Sequence, residues 1–266
     1  MSHRTADGNN KGGTGKTATT VNLAAGLARR GRRVLVVDVD PQANATRRLA
    51  VHLGEDSPTV SEAIASAAKG CAADAITSCG WDVDYAGRID VIPSAPDLAN
   101  RGGEVHQLGA VRRLAKAMAG ADDEYDVTLF DCPPDLGHLT QLVLATVDDV
   151  LIVTEPEFDS NESAIRLRDF IDVAREDLGN PGLCVLGYVI SRARENIGAH
   201  KFQLAGLGEM FGDGMAWEPA IPERSAIKDA NDAAGPVEHA GRVGRQVAAL
   251  YDQLADRYMS TVGAAA

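Results

Sequence analysis

The sequence predicts an α/β fold in which helices cover both faces of a doubly wound, mostly parallel sheet. Three observations predict it: a glycine-rich loop at residues 9–17 followed by a helical pattern, short apolar runs that end at polar residues or proline, and helical periodicity between those runs. Unbroken apolar runs are typical of strands that are buried on both faces. The 266 residues are therefore expected to form a single domain, residues 1–266, with a frayed tail at 259–266.

The predicted elements follow one another along the chain. From Val21 to Ala28 the apolar residues have helical spacing, and Gly31 is expected to cap that helix. Later strands are predicted at residues 34–37, 89–92, 127–130, 150–153 and 183–190. Later helices are predicted at residues 104–119, 160–176 and 197–210 and from residue 243 onwards. The strand expected before the glycine loop is the exception, because residues 3–9, HRTADGN, contain Asp7 and almost no apolar side chain.

Composition and charge argue against several classes of protein. The net charge is −12, so general coating of nucleic acid is not expected and any contact with DNA needs a local basic patch. The 4 cysteines form no C-x-x-C pair, which argues against a disulfide framework and a zinc ribbon. No stretch is apolar enough to cross a bilayer, and MSHRTADGNN is too polar for a secretory signal. These features favour a cytoplasmic protein.

The stretch GGTGKT, residues 12–17, has the pattern of a phosphate-binding loop, so the single domain is expected to be a P-loop NTPase. Glycines let backbone N–H groups turn toward phosphate oxygens, and the helix that follows directs its positive N-terminus at them. We expect Lys16 to bind the β and γ phosphates of ATP and Thr17 to bind Mg²⁺. A glycine-rich turn that only begins a helix is the alternative. The predicted nucleotide-binding residues of this segment are Gly12, Gly13, Thr14, Gly15, Lys16, Thr17 and Ala18.

Two acidic strand ends complete the predicted site. DVDPQ begins at Asp38 after the second predicted strand, and DCPP begins at Asp131 after the fourth. A Mg²⁺–nucleotide site needs a carboxylate for the metal and a polar group that orients the attacking water. We assign Asp131 to the metal, Asp38 to an outer position around the metal, and Asp40 to the catalytic water. The alternative for each is an exposed carboxylate that ends a strand.

The blocks KGGTGKT, VVDVDPQANAT and DCPPDLG, in this order, resemble the deviant Walker ATPases of the ParA type. Asn10 stands where the common phosphate-binding loop has its first glycine, and Lys11 matches the signature lysine of that family. The resemblance implies a homodimer in which two protomers enclose two ATP molecules and Lys11 reaches the nucleotide of the other protomer. It therefore adds Lys11 to Lys16 and Asp40 as a catalytic residue. Without the resemblance, Lys11 would be interpreted as a solvated surface lysine.

The D-x-D-P-Q-x-N-x-T block resembles the DNA-partition branch of this family. That branch implies a slow, nucleoid-associated ATPase that binds nonspecific double-stranded DNA as an ATP dimer and is stimulated by a centromere-binding, ParB-like partner. A solvated basic face is the alternative for its DNA contacts. The implied DNA contacts are Arg192, Arg194, Lys201, Arg224 and Lys228, and Arg166, Arg168, Arg242 and Arg245 either extend that patch or pair with nearby acids. The implied adenine contacts are Pro222 and Glu223.

Other branches of the family fit the sequence less well. The last segment, DQLADRYMSTVGAAA, has a single basic residue, which argues against a MinD-type membrane helix. Cys132 has no second cysteine in a ligand context, which argues against an Fe–S cluster. Only ten residues precede Lys11, so we expect the short form without an N-terminal helix-turn-helix. The alternatives are a ParA-like ATPase that positions a non-DNA cargo, and a metabolic or cluster-carrying P-loop ATPase that does not bind DNA.

Overall fold

The computed structural model describes residues 2–107, 109–194 and 197–265, without the side chains of Lys201 and Ala265. The strands are β1 (His3–Gly8), β2 (Val34–Asp38), β3 (Thr77–Ser78), β4 (Ile89–Ile92), β5 (Val127–Asp131), β6 (Asp149–Thr154), β7 (Cys184–Ile190) and β8 (Ala216–Trp217). The α-helices are α1 (Lys16–Arg29), α2 (Asn44–Arg48), α3 (Val60–Ser66), α4 (Arg113–Ala117), α5 (His138–Leu144), α6 (Phe158–Ala174), α7 (Gly198–Ala205), α8 (Leu207–Phe211), α9 (Ser225–Asp232) and α10 (Gly241–Ala265).

The strands form one 8-stranded sheet in the order β3-β4-β2-β5-β1-β6-β7-β8. Each neighbouring pair is parallel except β3 and β4, which are antiparallel. β2, β5 and β6 are buried along their whole length, as their apolar runs predict. The predicted fold class, a doubly wound and mostly parallel sheet, is confirmed.

β1 lies at the centre of the sheet although its sequence is polar. Both carboxylate oxygens of Asp7 are buried without a hydrogen-bond partner, but other side chains of β1 find partners on other elements. The Thr5 hydroxyl donates to Asp149 Oδ1 at 2.7 Å, and Tyr258 Oη lies 2.7 Å from Thr5 Oγ1. Arg4 donates to both carboxylate oxygens of Asp122, at 2.8 and 2.6 Å. A buried polar group is tolerated when its hydrogen bonds are made. The strand expected within residues 3–9 is therefore confirmed, and its stability comes from partners that are distant in the sequence.

Three helical predictions need correction. The helix predicted at 104–119 is divided into 3₁₀ turns at Pro96–His106 and Ala110–Arg112 and the short α4, with Gly109 at a φ of +70° between them. The helix predicted at 197–210 is divided into α7 and α8 at Gly206. The tail expected to be frayed from 259 is instead helical to 265, because Met259 and Val262 pack against the core.

Helices cover both faces of the sheet and leave the carboxyl ends of its strands open. α1 and α10 pack closely on one face: a Cβ at Gly26 would lie 3.0 Å from the carbonyl oxygen of Tyr251. α5 and α6 contribute to the apolar core on the other face. In the described part of the chain, no helix has the length and apolar character needed to cross a membrane. Ligands of open α/β sheets bind at the carboxyl ends of the strands, which is where the predicted motifs meet.

Candidate functional site

The loop between β1 and α1 has a backbone conformation that only glycine adopts easily. Gly13 and Gly15 have φ values of +85° and +89°. A Cβ at Gly15 would also collide with Ser191 Oγ, from the segment that follows β7. α1 begins at Lys16, so its free N–H groups and the positive end of its dipole lie at the loop. This is the geometry of an anion-binding loop.

Lys16 lies at the base of this loop. The side chain is buried, and Nζ donates to the carbonyl oxygen of Lys11 at 2.9 Å. Burial lowers the pKa of Lys16, while the charge of Asp131 opposes that change. Asn9 ties the loop to the sheet, since its Nδ2 donates to the carbonyl oxygen of Val153 at 2.7 Å. The loop therefore holds a buried ammonium group next to the helix terminus.

Lys11 lies on the outer side of the same loop. Its Nζ donates to Ser160 Oγ at 2.8 Å and lies 3.5 Å from Glu157 Oε2. Ser160 is in the first turn of α6 and Glu157 precedes that helix. The structure thus separates the two lysines of the loop: Lys16 is buried beneath it, and Lys11 is half-buried on the surface beside α6.

Three carboxylates lie side by side at the ends of β1, β5 and β2. Asp7 and Asp38 are each in register with Asp131, and all three side chains are fully buried. Burial raises the pKa of Asp7 to about 7 and that of Asp38 to about 6. Burial, with the charge of Asp38, also raises the pKa of Asp131 well above its ordinary value. The sequence motifs indicated two of these carboxylates, whereas Asp7 is revealed only by the pairing of β1 with β5.

Asp38 and Asp40 hold the loop that follows β2. Asp38 Oδ2 accepts hydrogen bonds from the backbone N and the hydroxyl of Thr46, both at 2.8 Å. Asp40 Oδ1 accepts from the backbone N of Gln42 at 2.9 Å. Asp40 lines the cavity described below, whereas Asp38 does not. The neighbouring carboxylates therefore face different surroundings.

Asp131 and Thr17 have the chemistry that Mg²⁺ requires. Asp131 Oδ1 accepts a long hydrogen bond from Thr20 Oγ1, at 3.4 Å, and its Oδ2 is buried with no hydrogen-bond partner. The hydroxyl of Thr17 is close enough to lower the pKa of Asp131. No cluster of three His, Cys, Asp or Glu side chains in the described ranges could hold a metal by itself. These residues therefore fit a Mg²⁺ ion that takes its remaining ligands from phosphates and water.

A cavity of about 820 Å³ connects the loop with α2, α9, α10 and the segment after β7. This volume lies in the range of small-molecule and cofactor sites. The predicted site residues on its wall are Gly12, Gly13, Gly15, Lys16, Thr17, Ala18, Asp40, Arg192, Glu223, Arg224 and Lys228. Thr14 is buried, with Oγ1 unpartnered, and Pro222 pairs with Ala193 in an isolated bridge. The fold thus brings the glycine loop, one acidic loop and part of the predicted DNA patch to one cavity.

Two of the arginines predicted to contact DNA are engaged in ion pairs at the cavity. Arg192 Nη1 donates to the carbonyl oxygen of Gly13 at 2.8 Å and to Glu155 Oε1 at 2.9 Å, and its Nη2 donates to Glu223 at 3.1 Å. Arg194 also pairs with Glu223. Arg192 therefore braces the glycine loop against the segment after β7. Glu223, expected beside adenine, holds both arginines.

The remaining basic candidates are in different environments. Arg224 and Lys228 are exposed, and among the side chains that the structure describes neither forms an ion pair; Arg224 donates to the carbonyl oxygen of Glu223 at 2.9 Å. Arg242 and Arg245, on α10, are also exposed and lack an ion pair within those side chains. The remaining two arginines, Arg166 and Arg168, form ion pairs with nearby carboxylates: Arg166 pairs with Glu162 and Arg168 with Asp169. The side chain of Lys201 lies outside the described part of the chain.

Two further residues of the cavity wall carry no signal in the sequence. Arg48 is the last residue of α2, and Tyr251 lies in the middle of α10. Neither belongs to a recognisable motif, and α2 itself was not predicted. Both reach the cavity because α2 and α10 pack beside α1.

Comparison with known proteins agrees with this geometry. A family model described as an AAA domain matches residues 5–183. The chromosome partitioning protein ParA of Myxococcus xanthus is 37% identical over 196 residues, which cover 73% of this chain and 66% of that protein. The sporulation initiation inhibitor protein Soj of Bacillus subtilis is 31% identical over 234 residues, which cover 86% of this chain and 87% of the relative.

Solved structures show the same fold at lower identity. The complex of Cyanothece McdA with ATP has a TM-score of 0.84 at 22% identity, covering 98% of this chain and 96% of that one. Cobyrinic acid a,c-diamide synthase from Mycobacterium smegmatis with bound ADP and magnesium has a TM-score of 0.80 at 24% identity, covering 100% of this chain and 97% of that one. At such identities the likeness concerns the fold alone.

Proposed function

Because the chain belongs to the ParA-type P-loop ATPases, we propose that it is a DNA partition ATPase. It hydrolyses ATP, with Mg²⁺ as the metal cofactor. In the proposed cycle, two copies enclose two ATP molecules, the dimer binds nonspecific DNA of the nucleoid, and hydrolysis stimulated by a ParB-like partner releases it. The observation that carries the proposal is the glycine loop with two lysines in different positions, one buried and one at the surface.

The residues beneath the loop bind the nucleotide. Lys16 and the N–H groups at the start of α1 donate to the β and γ phosphates, and Thr17 with Asp131 holds the metal's ligand shell. Bound Mg²⁺ neutralises charge on the phosphates. Asp40 accepts a hydrogen bond from the attacking water, whose oxygen bonds to the γ-phosphorus as the bond to the β–γ bridging oxygen breaks. The products are ADP and phosphate.

Lys11 couples hydrolysis to dimerisation. Its ion pair with Glu157 is partly exposed, with side chains 32% and 49% exposed, and a pair of this kind contributes about 0–1 kcal/mol. Its other contact is a single hydrogen bond to the hydroxyl of the buried Ser160. Lys11 is therefore easily released to the nucleotide of a second protomer. A cation supplied in trans stabilises the charge that develops on the transferred phosphoryl group, as an arginine finger does. Hydrolysis then depends on the assembled dimer.

DNA contact is assigned first to α9 and α10. A protein with a net charge of −12 needs a local patch of free cations for this purpose. Arg224 and Lys228 lie at α9, Arg242 and Arg245 lie on α10, and the two helices pack together. Within the described side chains these cations have no carboxylate partner, in contrast to Arg192. They supply the charge that the phosphate backbone requires.

A gel shift with random duplex DNA tests the proposal. The protein is titrated with ATP, with ADP and without nucleotide, at about 50 mM and about 200 mM salt. We expect a shift with ATP only, and a much weaker one at the higher salt, because phosphate contacts release counterions. The double variant Arg224→Ala/Lys228→Ala should weaken the ATP-dependent shift by about 10-fold or more, whereas Arg166→Ala/Arg168→Ala, which removes paired charges, should leave it nearly unchanged.

An active ATPase that never shifts DNA in an ATP-dependent manner would contradict the partition function. That result would favour positioning of a non-DNA cargo or a metabolic reaction. A shift that is equally strong with ADP would contradict control of DNA binding by the γ-phosphate.

A further inference from the structure

The cavity contains an arginine for which the ATPase reaction described above has no role. Arg48 lines the same cavity as Gly15 and Lys16. Its carbonyl oxygen accepts a hydrogen bond from Trp81 Nε1 at 2.8 Å, which holds the end of α2 in place. Within the part of the chain that the structure describes, its guanidinium makes neither a hydrogen bond nor an ion pair, and its Nε is buried without a partner.

An unpaired guanidinium in this position is unfavourable. Arginine stays charged in proteins, and a charge that is removed from water needs a partner. Burial lowers the pKa of Arg48, and the charge of Asp131 opposes that change. No described carboxylate approaches the guanidinium within ion-pair distance, so its donors stay free for an anion that enters the cavity. A guanidinium fork matches the geometry of phosphate, which is the kind of anion that the glycine loop of the same cavity is shaped to hold.

A second donor lies beside Arg48. The hydroxyl of Tyr251 is buried without a hydrogen-bond partner, and the charge of Arg48 is close enough to influence its pKa. Burial raises that pKa to about 12, so the phenol keeps its proton and remains a donor. Thr19 Oγ1, on α1, lies near the Tyr251 hydroxyl and lowers its pKa, although the two atoms are not within hydrogen-bond distance. Buried polar groups without a partner are rare in folded proteins, and Arg48 Nε and the Tyr251 hydroxyl are two that belong to residues of the cavity wall.

The neighbouring arginine shows that this arrangement is specific to Arg48. Arg47 is exposed and donates to the carbonyl oxygen of Asn231 at 3.3 Å and to Asn44 Oδ1 at 3.4 Å. It does not line the cavity. α2 therefore places one arginine at the surface and the next one in the cavity, which provides a matched control.

We propose that Arg48 is a nucleotide-binding residue: its guanidinium donates to phosphate oxygens of the nucleotide held by the glycine loop, and the Tyr251 hydroxyl is an additional donor. The inference rests on the proposed function, since it requires the cavity to hold a nucleotide. It adds a cation to the phosphate site from within the same chain. Lys16 and Arg48 then bind the nucleotide of their own protomer, and Lys11 acts on the nucleotide of the other.

Binding of ATP, ADP and adenosine to variants of the full chain tests this assignment. Affinities are measured with a fluorescent ATP analogue and by competition. Arg48→Gln should weaken binding of ATP and ADP by about 10- to 100-fold, the range for hydrogen bonds to charged groups, and leave adenosine binding unchanged. Arg47→Gln should stay within about twofold of the unsubstituted chain, since its contacts are exposed. Tyr251→Phe should weaken ATP binding by about 5-fold.

Several outcomes would overturn the inference. A folded Arg48→Gln protein with unchanged ATP affinity would show that Arg48 only balances the buried carboxylates. Equal losses for ATP and adenosine would point to a distorted cavity. If Arg48→Gln does not fold, Arg48→Lys keeps the charge without the fork and should bind ATP with reduced affinity; unchanged affinity would count against the proposal. An unsubstituted chain that binds no ATP would refute the proposed function itself, and this inference with it.

Discussion

The floor and the rim of the cavity are held by different kinds of contact. The floor is the layer of buried side chains at strand ends and at the start of α1, namely Asp7, Lys16, Asp38 and Asp131, of which Lys16 lines the cavity wall. The rim consists of partly exposed ion-paired side chains, namely Lys11, Arg192, Arg194 and Glu223. The side chains of Arg192 and Arg194 are 45% and 49% exposed. Buried charges are costly to move, whereas exposed pairs contribute about 0–1 kcal/mol each.

This difference separates two tasks. In the proposed cycle, the floor, which is already assembled, binds the nucleotide, and the rim, which is held by weak pairs, rearranges when a nucleotide, a second protomer or DNA arrives. Substitutions in the floor should therefore change nucleotide affinity or stability. Substitutions in the rim should change hydrolysis in the dimer or DNA binding and leave nucleotide affinity largely intact.

The largest expected effect contrasts the two lysines of the loop. Lys11→Ala should reduce stimulated ATP hydrolysis by about 10³-fold or more, the range for a cation supplied in trans, while ATP binding changes only a few-fold. Lys16→Ala should abolish measurable ATP binding, because it removes the buried cation. Phosphate release and a binding titration measure both variants, and Lys69→Ala, at an exposed lysine, is the control. If stimulated ATP hydrolysis is unchanged in Lys11→Ala, Lys11 is a solvated surface lysine without a catalytic role.

The next effect concerns the floor and its dependence on pH. The folded-state pKa of Asp7 is about 7, against an ordinary value of 3.8, so the folded chain holds a proton that the unfolded chain releases between those values. The effect of Asp7 on the free energy of unfolding is therefore most favourable at low pH, and the free energy of unfolding falls as the pH rises toward 7. Above pH 7 the loss approaches about 4 kcal/mol.

Asp7→Asn should remove this penalty, because an amide is neutral at every pH. The free energy of unfolding in urea should exceed that of the unsubstituted chain by about 2–4 kcal/mol at pH 8, and the gain should shrink at pH 5. Asp82→Asn, at an exposed carboxylate, should show no such change. A gain that is the same at both pH values would mean that Asp7 is not the group responsible.

The smallest effect concerns the rim. Glu223→Gln releases Arg192 and Arg194 from their shared carboxylate, so stability should fall by less than about 1 kcal/mol. ATP affinity should stay within about 3-fold, and ATP-dependent DNA binding should strengthen by a similar factor, because Arg194 loses its carboxylate partner while Arg192 keeps its pair with Glu155. Glu162→Gln, which releases Arg166, is the control. A loss of ATP affinity above about 10-fold would instead support the predicted place of Glu223 beside adenine.

The local sequence predicted the elements that local chemistry determines. Positive φ at Gly13 and Gly15, an apolar run before Asp131, and the helical spacing after the loop follow from neighbouring residues alone. The fold class, the family and the position of Lys16 at the start of a helix followed from these features. The helix predicted at 104–119 was wrong because its apolar spacing resembles that of a helix, whereas Gly109 interrupts the backbone.

By itself the sequence determined the glycine loop, the positions of all strands except β3 and β8, and the acidic strand ends, because each depends on a few consecutive residues. Only the tertiary structure placed Asp7 beside Asp131 and Asp38, since the order and register of β1, β5 and β2 bring them together. It also decided that Arg48 faces the cavity while Arg47 faces solvent, and that Arg192 braces the loop. Such contacts join residues from distant parts of the chain, so they depend on how strands pair and helices pack, which no local pattern encodes.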